Sequence, residues 1–169
     1  MQARTPEQSK TIATDLVLPS ETNHLNNLFG GELLARMDRA ACISARRHCR
    51  RIVVTASVNH VAFNTVVPLG SVLTIEAKIS RAFNTSMEIY LDVWMEDRET
   101  GDRTKANEAI YTFVAVNETG RPVKIPEVTP ETPLEKERFD AALRRKQLSL
   151  LLAGKIKPNE ATELKALFD

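Results

Sequence analysis

The chain is 169 residues long, enough for one domain with a substantial core. Hydrophobic residues make up 43% and charged residues 27%, which excludes a disordered tail and a membrane-embedded chain. A formal charge of +1 gives no global basic field to argue for nucleic acid.

Asp15-Leu16-Val17-Leu18 reads as a short strand ending at Pro19, and a polar loop follows through Asn27. A helix is expected from Gly30 to about Arg47, with Leu33, Leu34, Met37, Ala40, Ala41 and Ile43 as its apolar side. Its many alanines let a sheet pack closely against it. Arg51 to Phe63 is rich in β-branched residues and predicts a strand. Alternation predicts further strands over Val72 to Ala82 and Ser86 to Glu96, and Arg103 to Val116 is the next strand after a hairpin turn at Glu99–Asp102, with further turns at Pro68–Ser71 and Asn117–Gly120.

This order gives an α+β fold in which an antiparallel sheet of five to six strands wraps one long helix. Beyond it, prolines punctuate a linker. Thr132-Pro133-Leu134-Glu135 then combines an N-cap, a first-turn proline and a capping-box glutamate. The helix it opens should run to about Ala153 and rest its modest apolar side (Leu143, Leu148, Leu151, Leu152) on the domain or on a neighbour. A shorter helix opens at Lys157–Glu160. The expected division is 1–127 for the sheet-and-helix domain and 128–169 for a C-terminal helical extension.

Chemistry concentrates at the start of the long helix. Asp38 shares a helical face with Leu34, Ala41, Cys42 and Ala45, where a carboxylate costs free energy unless something compensates its burial. Arg36 or Arg39 could pair with it, or the cost is tolerated because it does chemistry. Gly30-Gly31 permits close approach of a ligand to free first-turn amides, and otherwise makes a plain tight turn. Asn23 is a turn-forming or capping residue, or a ligand contact.

Other chemistries find little support. His24 lies in the loop, His48 near the helix end where a cation suits the macrodipole, and His60 in a strand. No Gly-x-Ser-x-Gly elbow and no paired His or Cys metal spacing occurs, so no metal site is expected. Cys42 and Cys49 fall seven apart on one helix, ~10 Å, beyond disulfide reach. The run Arg46, Arg47, His48, Arg50, Arg51 reads first as dipole compensation, and next as a contact for a phosphate-bearing ligand or a neighbouring subunit.

Asn23, Leu28-Phe29-Gly30-Gly31, Met37-Asp38 and Ser44-Ala45-Arg46-Arg47-His48 stand in this order with Val54-Thr55-Ala56-Ser57-Val58, Val61-Ala62-Phe63, Thr85-Ser86-Met87-Glu88 and Thr112-Phe113-Val114-Ala115. Together, over roughly positions 10 to 127, they resemble the hotdog-fold acyl-CoA thioesterases, in particular the bacterial cytosolic acyl-CoA hydrolases related to the brain enzyme. The chain departs from the family at Asn59, where an aspartate is usual, and at Phe83-Asn84, where Gly-Arg is usual.

The resemblance implies hydrolysis of fatty acyl-CoA, of medium to long chain over a broad range, to free fatty acid and coenzyme A. It implies no cofactor, coenzyme A being part of the substrate. Thioester hydrolysis needs a placed water, a base and donors for the oxyanion. Asp38 is then the base, or alternatively a nucleophile. Gly30 and Gly31 supply the oxyanion donors, Asn23 holds the water or the acyl group, and Thr55 positions the water or the base. Asn84, Thr85 and Ser86 would contact coenzyme A, and Phe63 with Met37 and Met87 would bound an acyl tunnel.

The polar N-terminus, Met1 to Gln8, lacks the apolar segment of a signal peptide, so a cytoplasmic protein is expected, and the resemblance further implies a homo-oligomer. In it Asn23 and Asp38 act across a dimer with a continuous sheet, and three dimers form a hexamer; the near-neutral charge and the lack of a run of ~18 apolar residues lead us to expect neither nucleic acid nor membrane as partner. Two rival readings keep the fold: a non-catalytic acyl-CoA sensor, and an enoyl-CoA hydratase.

Overall fold

The computed structural model describes residues 1–63 and 65–168. Strand β1 (Thr11–Leu16) precedes the long helix α1 (Gly30–Cys49), followed by β2 (Ile52–Asn59), β3 (Val72–Ala82), β4 (Ser86–Glu96), β5 (Arg103–Val116), α2 (Pro133–Leu152) and a one-turn α3 (Thr162–Lys165). The five strands form one antiparallel sheet in the order β1-β3-β4-β5-β2, and the sheet curls around α1 in the hotdog arrangement.

The core lies between α1 and the sheet's concave face. Leu33, Met37, Ala40, Ala41 and Ala45 of α1 are buried against Leu73, Ile75, Ala77 and Ile79 of β3 and Met87, Ile89, Leu91 and Val93 of β4. The alanine stripe keeps the helix close to the strands, and the period-2 alternation sends every second β4 residue inward.

Residues of the opposite parity on β4 meet α2, and they meet it through charge. Arg138 forks onto Asp92 at 2.8 and 3.0 Å and lies 3.7 Å above the Tyr90 ring, while Arg145 forks onto Glu88 at 2.9 and 2.7 Å. Arg81 stacks on Phe139 at 4.0 Å. Of the four leucines expected to seat this helix on the domain or on a neighbour, Leu143 and Leu151 are half-buried and Leu148 and Leu152 are exposed on this protomer. The capping box forms as expected, Glu135 N–H donating to Thr132 Oγ1 and Thr132 N–H to Glu135 Oε2.

Two strand boundaries differ from expectation. β1 spans Thr11–Leu16 instead of Asp15–Leu18, with Val17 turning off to give its N–H to Ser71 and accept from Gly70. β2 stops at Asn59, short of Phe63, because His60 takes a positive φ of 54° that ends the extended run.

Candidate active site

α1 and β2 run side by side in opposite directions, and Asp38 sits where they touch. The Thr55 hydroxyl donates to Asp38 Oδ1 at 2.8 Å. A register shift between Thr55 and Ser57 marks a bulge in β2, and such a bulge re-aims the side chain beside it. Asp38 is half-buried, at the edge of the apolar stripe of α1. Neither arginine compensates it: Arg36 gives Nη2 to Glu21 Oε2 at 2.5 Å and to the Leu16 carbonyl at 2.8 Å. The described residues offer Asp38 no cationic partner.

Tyr111 was not singled out by its sequence context, yet it completes the floor of the site. It points inward from β5 opposite Val58 and donates its hydroxyl to the Leu34 carbonyl at 2.9 Å, one turn before Asp38. Burial, with the Asp38 carboxylate beside it, pushes the Tyr111 hydroxyl up to about 12, so it stays protonated and holds the helix. Burial and Asp38 likewise push the Cys42 thiol up. Both cysteines are free.

At the head of α1, the amides of Glu32 and Leu33 turn back to the Phe29 carbonyl. Those of Gly30 and Gly31 have no acceptor among the described residues, as expected for first-turn donors. A Cβ on Gly30 would meet the Phe63 ring at 3.2 Å, whereas one on Gly31 would meet nothing within 4 Å. Phe63 therefore lids one glycine and leaves the other open. Gly31 and Asp38 are two turns apart on one side of the helix, ~10 Å.

Asn23 has a structural duty. Its Oδ1 accepts from the Leu25 and Asn27 amides at 2.9 and 3.2 Å, so only its side-chain NH₂ is left for a ligand. No hydrogen bond joins it to Asp38 among the described residues. The loop it anchors is held down by Leu28 N–H on the Val67 carbonyl, Phe29 N–H on the Glu21 carbonyl and the Arg36–Glu21 ion pair.

Asn84, Thr85 and Ser86 form the β3–β4 turn, fixed through backbone bonds from Ile125 to Asn84 and from Ala115 to Thr85. Ser86 pairs with Val114, which pairs with Val54, so the turn lies level with Thr55, two strands away or ~10 Å. Met87, Phe113 and Thr55 are likewise in line across the sheet.

His48 departs from its expected role. It is buried, with Nε2–H donating to the Pro126 carbonyl at 2.8 Å and Nδ1 left without a partner. Burial holds its imidazole below the ordinary value. The carbonyls at the helix end are instead capped by Arg4, whose Nη1 donates to those of Arg47 and His48 at 2.8 and 2.6 Å.

Comparison with known proteins shows the family. Residues 25–101 match the Thioesterase superfamily. An uncharacterised acyl-CoA thioester hydrolase of Bacillus subtilis is 38% identical over 144 residues, covering 85% of this chain and 84% of that protein. The crystal structure of an apo-hexameric acyl-CoA thioesterase superposes with TM-score 0.87 at 40% identity, over 90% of this chain and 98% of that one. A Staphylococcus aureus acyl-CoA hydrolase, solved with butyryl coenzyme A, coenzyme A and coenzyme A disulfide, gives TM-score 0.83 at 32% identity over 97% and 99% of the two chains. That hydrolase was also solved with an asparagine, an aspartate and a threonine each changed to alanine; the three are 15 and 17 residues apart, the spacing of Asn23, Asp38 and Thr55. The chain belongs to the acyl-CoA thioester hydrolases of the thioesterase superfamily.

Proposed function

We propose that this protein hydrolyses fatty acyl-CoA, over a broad range of medium to long chains, to free fatty acid and coenzyme A. The observation that carries the reading is the Thr55–Asp38 hydrogen bond between β2 and α1. It fixes one carboxylate oxygen and leaves the other to take a proton from water as that water attacks the thioester carbon. The free amides of Gly30 and Gly31, at the positive end of α1, receive the oxyanion. The Asn23 NH₂ holds the water or the acyl carbonyl, and collapse of the tetrahedral intermediate expels the coenzyme A thiolate. The reaction uses no metal and no bound cofactor. Asn84, Thr85 and Ser86 line the coenzyme A approach, and the Phe63 ring over Gly30 moves aside for the acyl group.

Two protomers share each site in this reading, Asn23 coming from one and Asp38 from the other. Support comes from β2, an edge strand with Ile52, Val54 and Val58 exposed by 52%, 47% and 42%. Unpaired apolar edges of this kind invite pairing with a second copy. Three such dimers would make a hexamer, residues 1–127 forming the catalytic unit and 128–169 the extension. Among the described residues no helix is long and apolar enough to cross a membrane; the likeness to a cytosolic acyl coenzyme A thioester hydrolase of rat is the ground on which we assign the protein to the cytoplasm.

The test is free-thiol release from short, medium and long acyl-CoA esters by native protein and by a mixture of Asn23→Ala and Asp38→Asn protomers. The reading predicts release by native protein and partial recovery on mixing two inactive variants. Absence of release at every chain length removes the function, and absence of recovery removes the shared site.

A further inference from the structure

Helix α1 rests on the sheet mainly through apolar contacts. Leu33, Met37, Ala40, Ala41 and Ala45 are buried against β3 and β4, and such contacts are strong in sum but non-directional. They hold the helix down without fixing its position along the sheet or its rotation about its own axis. Directional ties from α1 to the strands are few among the described residues. Arg36 donates to the Leu16 carbonyl and Arg47 to Thr11 Oγ1, both on the edge strand β1. Thr55, on the opposite edge strand β2, donates to Asp38 itself. The three central strands β3, β4 and β5 supply one such tie, the 2.9 Å bond from the Tyr111 hydroxyl to the Leu34 carbonyl.

Leu34 precedes Asp38 by four residues, so within α1 its carbonyl is the one that accepts the Asp38 amide. Tyr111 therefore grips the backbone atom from which the Asp38 peptide hangs. That carbonyl already has a partner in the helix, and a phenyl ring would fill the same space in the core, so neither hydrogen-bond satisfaction at Leu34 nor packing calls for the hydroxyl. The ring is 1% exposed and held between Ile89 of β4 and Val58 of β2, its partners in register. Burial and the nearby carboxylate keep the phenol protonated, with its value pushed up to about 12, so the donor persists through the neutral range.

We propose that Tyr111 is a positioning residue for the hydrolysis proposed above, pinning the Leu34 carbonyl so that α1 holds the Asp38 carboxylate in place against the thioester. Asp38 is then fixed twice, through its side chain by Thr55 and through its backbone by Tyr111, from the paired strands β2 and β5. The geometric requirement is steep, because a displacement of ~1 Å at a reacting group can cost ~10²-fold in rate. The role rests on the hydrolase reading and adds to it a residue that touches neither substrate nor water.

The test is Tyr111→Phe, alone and combined with Thr55→Val, assayed by thiol release from butyryl-CoA. The phenyl ring keeps the packing and the Leu34 carbonyl keeps the Asp38 amide, so no buried group is orphaned and Tm should fall by no more than ~5 °C. The kcat should fall about tenfold while KM stays within about twofold, the split expected when the base moves and the binding surfaces do not. The two substitutions free the same carboxylate, so their effects should be coupled. The double variant should lose about tenfold to thirtyfold, short of the ~100-fold that independent effects would give. A native kcat in folded Tyr111→Phe overturns the proposal, as does a loss confined to KM or to Tm. A fully multiplicative double variant overturns the route through Asp38. Native release with full kcat in Tyr111→Phe removes this proposal alone, whereas native protein that releases no thiol removes the hydrolase reading and this role with it.

Discussion

Gly31→Ala separates a glycine kept for substrate from a glycine kept for backbone shape. The Cβ added at Gly31 meets no atom within 4 Å, and the residue lies in the first turn of α1 with no positive φ to strain an alanine. Alanine is favoured over glycine within helices by ~0.5–1 kcal/mol. For a chain of this length that is ~2–4 °C in Tm, less at a helix end. If the thioester carbonyl sits against this amide, the methyl group keeps the oxyanion out of reach. Loss of one such donor costs ~10²–10³ in turnover. Scanning calorimetry and thiol release on the same preparation therefore give opposite signs, Tm level or raised and kcat down at least ~100-fold. Native turnover with the higher Tm would refute the placement of the acyl carbonyl at the head of α1.

Three further outcomes follow from the same geometry. Thr55→Val removes the donor to Asp38 from an exposed position, so stability should hold while kcat falls about tenfold, the equivalent of ~1.4 kcal/mol from a hydrogen bond to a charged group; full kcat at an unchanged KM would contradict it. Burial holds the His48 imidazole below its ordinary value, so below about pH 6.5 the unfolded chain takes a proton that the folded chain refuses. Stability should then fall as pH drops through that range, and urea midpoints of His48→Gln should fall less steeply. Arg138→Gln breaks the fork to Asp92, and the loss of a half-buried ion pair should cost about 1–3 kcal/mol, read as a lower Tm. Burial would raise the Asp92 carboxyl, but hydrogen bonds from Arg138 and Lys105 outweigh it and hold it below the usual carboxylate range. The stability from this pair is therefore present above about pH 4 and lost as pH falls further, and Arg138→Gln should show a weaker acid loss.

The parts of the fold legible in the sequence are those whose pattern matches their burial. β3, β4 and β5 keep one face packed on α1, and their expected limits coincide with the observed ones. β1 was misplaced by a few residues because it is an edge strand. Ile12 and Leu16 point out to solvent, so its apolar residues do not mark its buried side. In α2 the capping box announced the start, but its docking was illegible, since the Arg138–Asp92 and Arg145–Glu88 pairs join positions 46 and 57 residues apart. At the site, the oddity of a carboxylate on an apolar face pointed to Asp38, and the bulge in β2 that aims Thr55 at it had no sequence signal. Tyr111 was hidden inside an ordinary strand pattern. It is recognised only once the fold brings its hydroxyl to the Leu34 carbonyl.

Asp38→Asn tests the central claim most directly, because it keeps the shape of the side chain and its bond with Thr55 while removing the charge that accepts a proton. The measurement is free-thiol release from acyl-CoA by native and variant protein, with circular dichroism and Tm as the check on folding. The account predicts native release and loss of at least ~100-fold in the variant at an unchanged fold. Release by the variant at the native rate would contradict it.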